Sequence, residues 1–218
     1  MSRLAMASVG RAGSPSRPCR IRAVGLFTAA ACLLSGCTLF RGPRKDRTEF
    51  FPLEAAAPAA AANERPVAAP TLLRTVAVPA HLQRSKALAI RQKDGAIHYA
   101  DLAWWSEPLD LAFARVLRED LDRFGVPTVE RRDQAFTNEL TVHIERAEGV
   151  VADGKGRVEF TASFELRRGD GVPNAVIRRT FTAEVSAWDG KDHAALAKAL
   201  SKAAADLAAL IRNAAQRG

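Results

Sequence analysis

The chain has 218 residues, of which 48% are apolar and 26% are charged, a composition that excludes a disordered chain and a multi-span membrane protein. Its formal charge is +8, but five arginines lie within residues 1–36, which contain no acidic residue. Without those five, 27 basic side chains remain against 24 acidic ones, and this net charge of +3 gives no electrostatic footprint for nucleic acid.

The N-terminal residues predict a lipoprotein signal peptide. After the arginines comes an apolar run from Ala23 to Leu34, which is 12 residues long. A bilayer span needs about 20 residues, so the run fits the apolar region of a signal peptide. Its end resembles the bacterial lipobox, in the four residues Leu34, Ser35, Gly36 and Cys37. We predict a signal peptide over 1–36, cleavage between Gly36 and Cys37, and lipid on the Cys37 thiol. The alternative is an uncleaved anchor in which the cysteine is incidental.

The cysteine count limits the chemistry of the mature chain. The two other cysteines, Cys19 and Cys32, precede the predicted cleavage. The mature protein would then contain no free thiol and no disulfide, which excludes a thiol enzyme and a cysteine metal site. Thr38 follows the lipidated residue. In similar enterobacterial lipoproteins an aspartate at this place favours the inner membrane, so Thr38 favours the periplasmic face of the outer membrane.

The mature chain divides into a tether and one domain. Residues 37–48 are polar and basic and are typical of a tether, and residues 49–215 form the predicted domain. Residues 49–53 predict a short first strand. Residues 55–70 contain nine alanines and three prolines, and we predict a loop there because proline interrupts helices and denies donors to a sheet.

Three strands and a helix follow in the predicted domain. Strands are expected over 71–79, 85–91 and 97–100, with a turn at Asp94–Gly95 between the last two. Ser106 is the expected N-cap of the helix, Pro108 lies in its first turn and Gly125 ends it. The helix has one apolar stripe at three- and four-residue spacing. The stripe comprises Leu109, Phe113, Val116, Leu117, Leu121 and Phe124.

The second half predicts a three-stranded meander and a final helix. Apolar residues alternate with polar ones over 140–145, 157–166 and 177–187, which indicates one buried and one solvated sheet face. Asp192 is the expected N-cap of the last helix, which should run to about Ala215. The predicted fold class is therefore α+β, a two-layer domain with a mostly antiparallel sheet and two amphipathic helices packed on one face.

The chain lacks the motifs of common catalytic and cofactor sites. No nucleotide-binding glycine loop, zinc-protease motif or serine-hydrolase elbow occurs, and the glycine turns have too few oxygen ligands for calcium. His143 lies inside a strong strand pattern beside Glu145, where a solvated pair is favoured over a catalytic one. We therefore predict no catalytic residue, no metal and no cofactor.

Two adjacent tryptophans stand before the first long helix. Trp105 at this position can pack onto the first turn of the helix, which is a purely structural role. The functional alternative is an exposed aromatic patch that binds a partner. We expect one ring to be buried and the other to be partly exposed.

The same region resembles the PqiC-like auxiliary lipoproteins of ABC-type transport systems. The family shows a lipobox, a strand that ends in proline, a stretch with two arginines and a W-x-E-P-L motif that opens a helix. Val76–Pro79 matches the strand, His81–Arg91 matches the stretch with His81 in place of the usual tyrosine, and Trp105–Leu109 matches the motif. Phe50–Leu53 resembles the first strand of the family, with Pro52 as a departure. The resemblance covers about residues 49–212.

The resemblance implies a non-enzymatic auxiliary subunit of a lipid transport system. Its partners would be a periplasmic MCE-domain protein with its ABC permease and ATPase, and the lipid would hold it at the outer membrane. Candidate partner-binding residues are Trp104, Trp105, Glu107 and Arg91. A homo-oligomer is compatible with this assignment. Two alternatives stay open, a periplasmic hydrolase that uses His143 and a carrier that binds lipid directly.

Overall fold

A computed structural model describes residues 47–58, 68–169, 176–183 and 186–216. The predicted signal peptide, Cys37, most of the tether and residues 59–67 of the predicted loop lie outside the described residues. The strands are β1 Glu49–Phe51, β2 Thr71–Ala77, β3 Ala87–Gln92, β4 Ile97–Trp105, β5 Thr128–Val129, β6 Asn138–Ala152, β7 Lys155–Arg168, β8 Val176–Thr182 and β9 Ser186–Trp188. The helices are α1 Ala80–Gln83, α2 Leu109–Arg123 and α3 His193–Gln216.

The sheet is built on the long hairpin of β6 and β7. Its turn contains Asp153 and Gly154, which both have positive φ, and the two strands pair antiparallel from Asn138–Arg168 to Ala152–Lys155. The other edge of β6 pairs with two strands in succession. Its first half pairs in parallel with β2, and its second half pairs in parallel with β3. The sheet therefore forks where β2 ends and β3 begins.

The remaining strands extend this hairpin on both sides. β5 joins β2 in parallel, β4 joins β3 antiparallel, and β1 lies parallel to β4. On the far side, β7 pairs with β8 and then with β9. The sheet is mixed, because β1–β4, β2–β5, β2–β6 and β3–β6 pair in parallel, whereas β3–β4 and all pairs of β7 are antiparallel.

The single strand predicted over 177–187 was wrong. The described residues form two strands that both pair with β7: β8 ends with Thr182 opposite Thr161, and β9 begins with Ser186 opposite Val158.

Both long helices pack on one face of the sheet, as the α+β class requires. α2 contacts β2, α3 contacts β7 and β6, and the two helices contact each other. The fully buried Phe113 of α2 lies 5.7 Å from the Phe160 ring of β7, between ring centroids. Small buried side chains such as Ala204 and Ala208 let α3 approach closely. The predicted α+β class is confirmed.

The helix ends confirm two predictions and correct one. Asp192 caps α3, since its Oδ1 accepts from the Ala195 amide at 2.9 Å. Gly125 has φ +76° just after α2. Ser106 does not cap α2, because the helix begins only at Leu109; the Ser106 amide donates to the Phe51 carbonyl of β1. Pro108 occupies the N-cap position without a side-chain bond.

Candidate functional site

The parallel pairing of β1 with β4 separates the two predicted tryptophans. Phe51 lies opposite Trp105 on the helix-covered face, and Trp105 is only 2% exposed. Phe50 lies opposite Trp104 on the open face, where their side chains are 60% and 39% exposed and their ring centroids 6.4 Å apart. The expectation of one buried and one partly exposed ring is confirmed. We call Phe50 and Trp104 the aromatic edge.

The aromatic edge lies on the outermost strand pair of the described sheet. Two further large side chains of β4, Tyr99 and Leu102, are also exposed. The Tyr99 hydroxyl donates to the His81 carbonyl at 2.9 Å, which holds its ring in place. Exposed aromatic rings beside a sheet edge are typical of protein interfaces, because they supply large apolar area at low entropic cost.

Glu107 holds the chain that follows β1 rather than facing solvent freely. Its Oε1 accepts from Nε and Nη2 of Arg115, at 3.0 and 2.6 Å. The Arg115 Nη2 also donates to the Leu53 carbonyl at 2.8 Å. The hydrogen bond to Glu107 raises the pKa of Arg115 against the opposing effect of its burial. Glu107 therefore positions the arginine that fastens Leu53.

Residues 52–58 form a strap that crosses the helix layer. Leu53 and Ala57 are buried, and the Glu54 amide donates to Ser201 Oγ of α3 at 3.0 Å. Arg123 of α2 donates to the carbonyls of residues 55 and 57, and Asp120 accepts from the Ala57 amide at 2.8 Å. These hydrogen bonds hold the residues that follow β1 against both long helices.

Asp120 is a buried carboxyl with only one of its oxygens bonded among the described residues. Burial raises the pKa of this carboxyl above its ordinary 3.8, against the effect of the Ala57 hydrogen bond and of Arg123. A raised native pKa means that the folded state binds the proton more tightly than the unfolded state. Asp120 therefore contributes to the free energy of unfolding below pH 3.8, where it is protonated in both states. This contribution is lost as the pH rises through the pKa of the folded state.

We therefore expect Asp120→Asn to change the pH dependence of stability. As the pH falls from 7 to 4, the unfolding free energy of the parent should rise relative to that of the variant, measured by urea denaturation. Glu159→Gln provides a control of opposite sign. Burial raises the pKa of Glu159, but hydrogen bonds from Arg157 and Arg146 outweigh it and the pKa is lowered. Parallel pH curves for the parent and Asp120→Asn would contradict this account.

A buried carboxylate lies at the fork of the sheet. The side chain of Glu148 on β6 has 0% exposure, and its Oε1 accepts from Arg91 Nε at 2.6 Å. Its Oε2 lies 3.3 Å from Nε2 of His81, which α1 presents in the gap between β2 and β3. The candidate partner residue Arg91 therefore serves first as the counter-charge of Glu148.

No motif or periodic pattern of the sequence singles out Glu148. Strict alternation from Leu140 and Ile144 would place it among core residues, where a carboxylate is unexpected. The bulge between Ile144 and Arg146 shifts the alternation, so Ala147 joins the core and Glu148 faces the other side. A charged residue at an inward position of a long strand is the signal that could have indicated a bulge.

No arrangement typical of catalysis or metal binding occurs in the part of the chain that the structure describes. No group of three histidine, cysteine, aspartate or glutamate side chains is close enough to hold a metal ion there. His143, named for the hydrolase alternative, is exposed, and its side chain makes no hydrogen bond within the described ranges. Among the described helices, none combines the length and apolar character needed to cross a bilayer.

Comparison with known families decides the class of the protein. The model of a family described as ABC-type transport auxiliary lipoprotein component matches residues 51–212. The chain belongs to this family. The match begins at Phe51 in β1 and ends in α3, so it includes Trp104 of the aromatic edge, the strap and Glu148 with its partners Arg91 and His81, while Phe50 directly precedes it. The family comprises transport auxiliary lipoproteins, which are not a known class of enzymes, and its members are expected to be anchored in the cell envelope.

Solved structures support the fold of this family member. A Xanthomonas campestris protein, XCC0632, is 15% identical with a TM-score of 0.62, and the match covers 76% of this chain and 93% of that one. An uncharacterised protein is 18% identical with a TM-score of 0.59, over 76% of this chain and 97% of the other. At these identities the likeness shows the fold alone. No curated protein matches.

Proposed function

We propose that this family member is a lipid-anchored periplasmic subunit of an MCE/ABC-type lipid transport system. Lipid on Cys37 holds it at the outer membrane, where it docks the transport assembly and supports envelope integrity. Its partners are a periplasmic MCE-domain protein and the ABC permease and ATPase that supply the energy. The support is family membership together with the lipobox and the resemblance of the Trp105–Leu109 motif.

The connection between anchor and domain fits a docking role. Eleven residues, 38–48, lie between Cys37 and Glu49, the first residue of β1, which makes twelve residue steps. A fully extended chain spans at most about 3.6 Å per residue, so the tether keeps β1 within roughly 40 Å of the membrane surface. The strap, which contacts α2 and α3, fixes the domain to the end of this tether. The aromatic edge on β1 and β4 therefore stays near the anchor.

The aromatic edge is the observation that carries the docking proposal. Phe50 and Trp104 are exposed large rings in contact with each other, on the outer strand pair and next to the tether. Tryptophan is among the residues that contribute most to protein interfaces. In this proposal the MCE protein covers these rings, and the buried Trp105 holds β4 against the core beneath them.

Trp104→Ala tests the docking proposal. Because Trp104 is partly exposed, its loss should change the unfolding free energy little. Loss of an interface tryptophan costs about 2 kcal/mol or more, so recovery of the MCE protein with the lipoprotein from solubilised envelope should fall at least roughly tenfold. Leu111→Ala is the matched control, because Leu111 is also exposed but lies on α2. Unchanged recovery with Trp104→Ala would reject the aromatic edge as the docking site.

The same variants separate a partner protein from a second copy of this chain. Sedimentation of the purified parent and Trp104→Ala measures self-association directly. If Trp104→Ala changes the sedimentation and leaves recovery of the MCE protein unchanged, the aromatic edge joins copies of the lipoprotein instead, and the docking proposal is wrong at this site.

A further inference from the structure

The open face of the sheet contains a polar groove of about 510 Å³ on the side away from both helices. This volume lies within the range of about 300–1,000 Å³ that is usual for small-molecule sites. We call it the arginine groove and define it by Arg74, His143, Ser163, Glu165, Arg167 and Arg178. It lies on the β2, β6, β7 and β8 part of the sheet, apart from the aromatic edge on β1 and β4.

Glu165 binds two arginines. Its Oε1 accepts from Arg167 Nε at 2.6 Å, and its Oε2 accepts from Arg178 Nε at 2.8 Å. The Arg167 and Arg178 side chains are 57% and 72% exposed, so their guanidinium groups are accessible from solvent. The two arginines, with Arg167 first, hold the pKa of Glu165 below its ordinary range, so it stays ionised and keeps both groups oriented. Such pre-oriented guanidinium groups match an oxyanion.

Donors without a protein partner line the groove beside these arginines. The strand register places His143 of β6, Ser163 of β7 and Thr180 of β8 in one row across the open face. None of these three side chains hydrogen-bonds to another residue in the described part of the chain. They form a row of hydroxyl and imidazole groups next to Glu165 and Arg178, which occupy the adjacent row.

The groove carries an excess of positive charge. Four arginines line it, Arg74, Arg167, Arg178 and Arg179, and the carboxylate of Glu165 lies among them. Glu139 beside the groove binds Arg74 at 3.2 Å. The remaining positive charge suits an oxyanion.

We propose that the arginine groove binds the phosphate diester of a phospholipid headgroup. The terminal nitrogens of Arg167 and Arg178 donate to the phosphate oxygens, and the hydroxyls of Ser163 and Thr180 donate alongside them. The choice of a lipid as the source of the diester rests on the proposed function, which places the protein on a membrane in a lipid transport system. The groove itself rests only on the geometry and charge of these residues.

Calorimetric titration of the mature lipoprotein in a neutral detergent tests this site. The probe is glycerophosphoglycerol, a water-soluble headgroup diester without acyl chains, and inorganic phosphate and glycerol are the comparison ligands. We expect saturable binding of the diester that is tighter than that of phosphate, and none of glycerol. Arg167→Gln and Arg178→Gln should each weaken binding about tenfold, as expected for lost charge-assisted hydrogen bonds.

Arg146→Gln is the matched control. Arg146 lies on the same open face and binds Glu159 at 2.7 Å, outside the groove. The Arg146→Gln substitution should leave the affinity for the diester unchanged, and the melting temperatures of all three variants should match that of the parent. Absence of saturable diester binding, or an equal loss with Arg146→Gln, would overturn the site. Phosphate binding as tight as the diester would overturn the lipid headgroup as its source.

The outcome is separable from that of the docking proposal. Groove variants should leave recovery of the MCE protein unchanged, since the aromatic edge lies on other strands. If no MCE protein is recovered with the parent lipoprotein but the diester binds as expected, the binding site in the arginine groove is supported and the docking proposal is wrong. If recovery of the MCE protein is normal and the diester does not bind, only the proposed binding site is wrong.

Discussion

Arg91→Ala is expected to lower the unfolding free energy by about 2–3 kcal/mol. Arg91 is the nearest counter-charge of Glu148, whose side chain is fully buried at the fork of the sheet. Removal of one partner of a buried pair leaves an uncompensated charge, which costs about 3–5 kcal/mol. We place the effect just below that range because Arg91 is itself 26% exposed and His81 still contacts Glu148. Urea denaturation at neutral pH measures it.

Lys93→Ala is the control for an exposed pair next to the same strand. Lys93 binds Asp153 at 2.7 Å, but the two side chains are 70% and 73% exposed. Such surface pairs contribute about 0–1 kcal/mol, so the loss should be small. The double variant Arg91→Ala/Glu148→Gln should be more stable than Arg91→Ala, because it removes the buried charge together with its partner. A loss below about 1 kcal/mol for Arg91→Ala would refute this account.

Cys37→Ala is expected to release the protein from the membrane or to leave it in an unprocessed form. The thiol is the proposed site of lipid attachment, and each buried methylene of an acyl chain contributes about 0.8 kcal/mol to membrane binding. The domain itself should fold normally, since position 37 lies outside the matched region 51–212. Fractionation of the envelope, with mass analysis of the N-terminal peptide, measures both processing and location.

Cys32→Ala is the matched control, because Cys32 lies within the apolar run of the predicted signal peptide and is removed with it. It should leave processing and membrane association unchanged. An N-terminal peptide of the parent without lipid on Cys37 would contradict the anchoring proposal. So would full activity of a Cys37→Ala protein that is free in the periplasm.

Local pattern was sufficient to predict most of the elements. The apolar stripe from Leu109 to Leu121 predicted α2, and the alternation over 140–144 predicted the first half of β6. Both patterns are periodic along the chain, and the period of the buried side chains identifies helix or strand before any partner is known. The opposite exposures of Trp104 and Trp105 were expected, but the strand that explains them was predicted only over 97–100, whereas β4 continues to Trp105.

The errors came from contacts between distant segments. The division of the last predicted strand into β8 and β9 depends on how each pairs with β7, which no local period reveals. Ser106 has the chemistry of an N-cap, but the helix begins at Leu109, and the Ser106 amide pairs with the Phe51 carbonyl of β1. α1 was missed because four residues are too few to show a helical period.

The sequence by itself determined the α+β class, the predicted anchor and the family resemblance, because each of these is encoded in neighbouring residues. Only the tertiary structure decided which charges meet. Glu148 joins Arg91 and His81, and Glu165 joins Arg178, through strand register and a bulge. Register depends on how distant strands pair, and one shifted residue moves a side chain to the opposite face of the sheet.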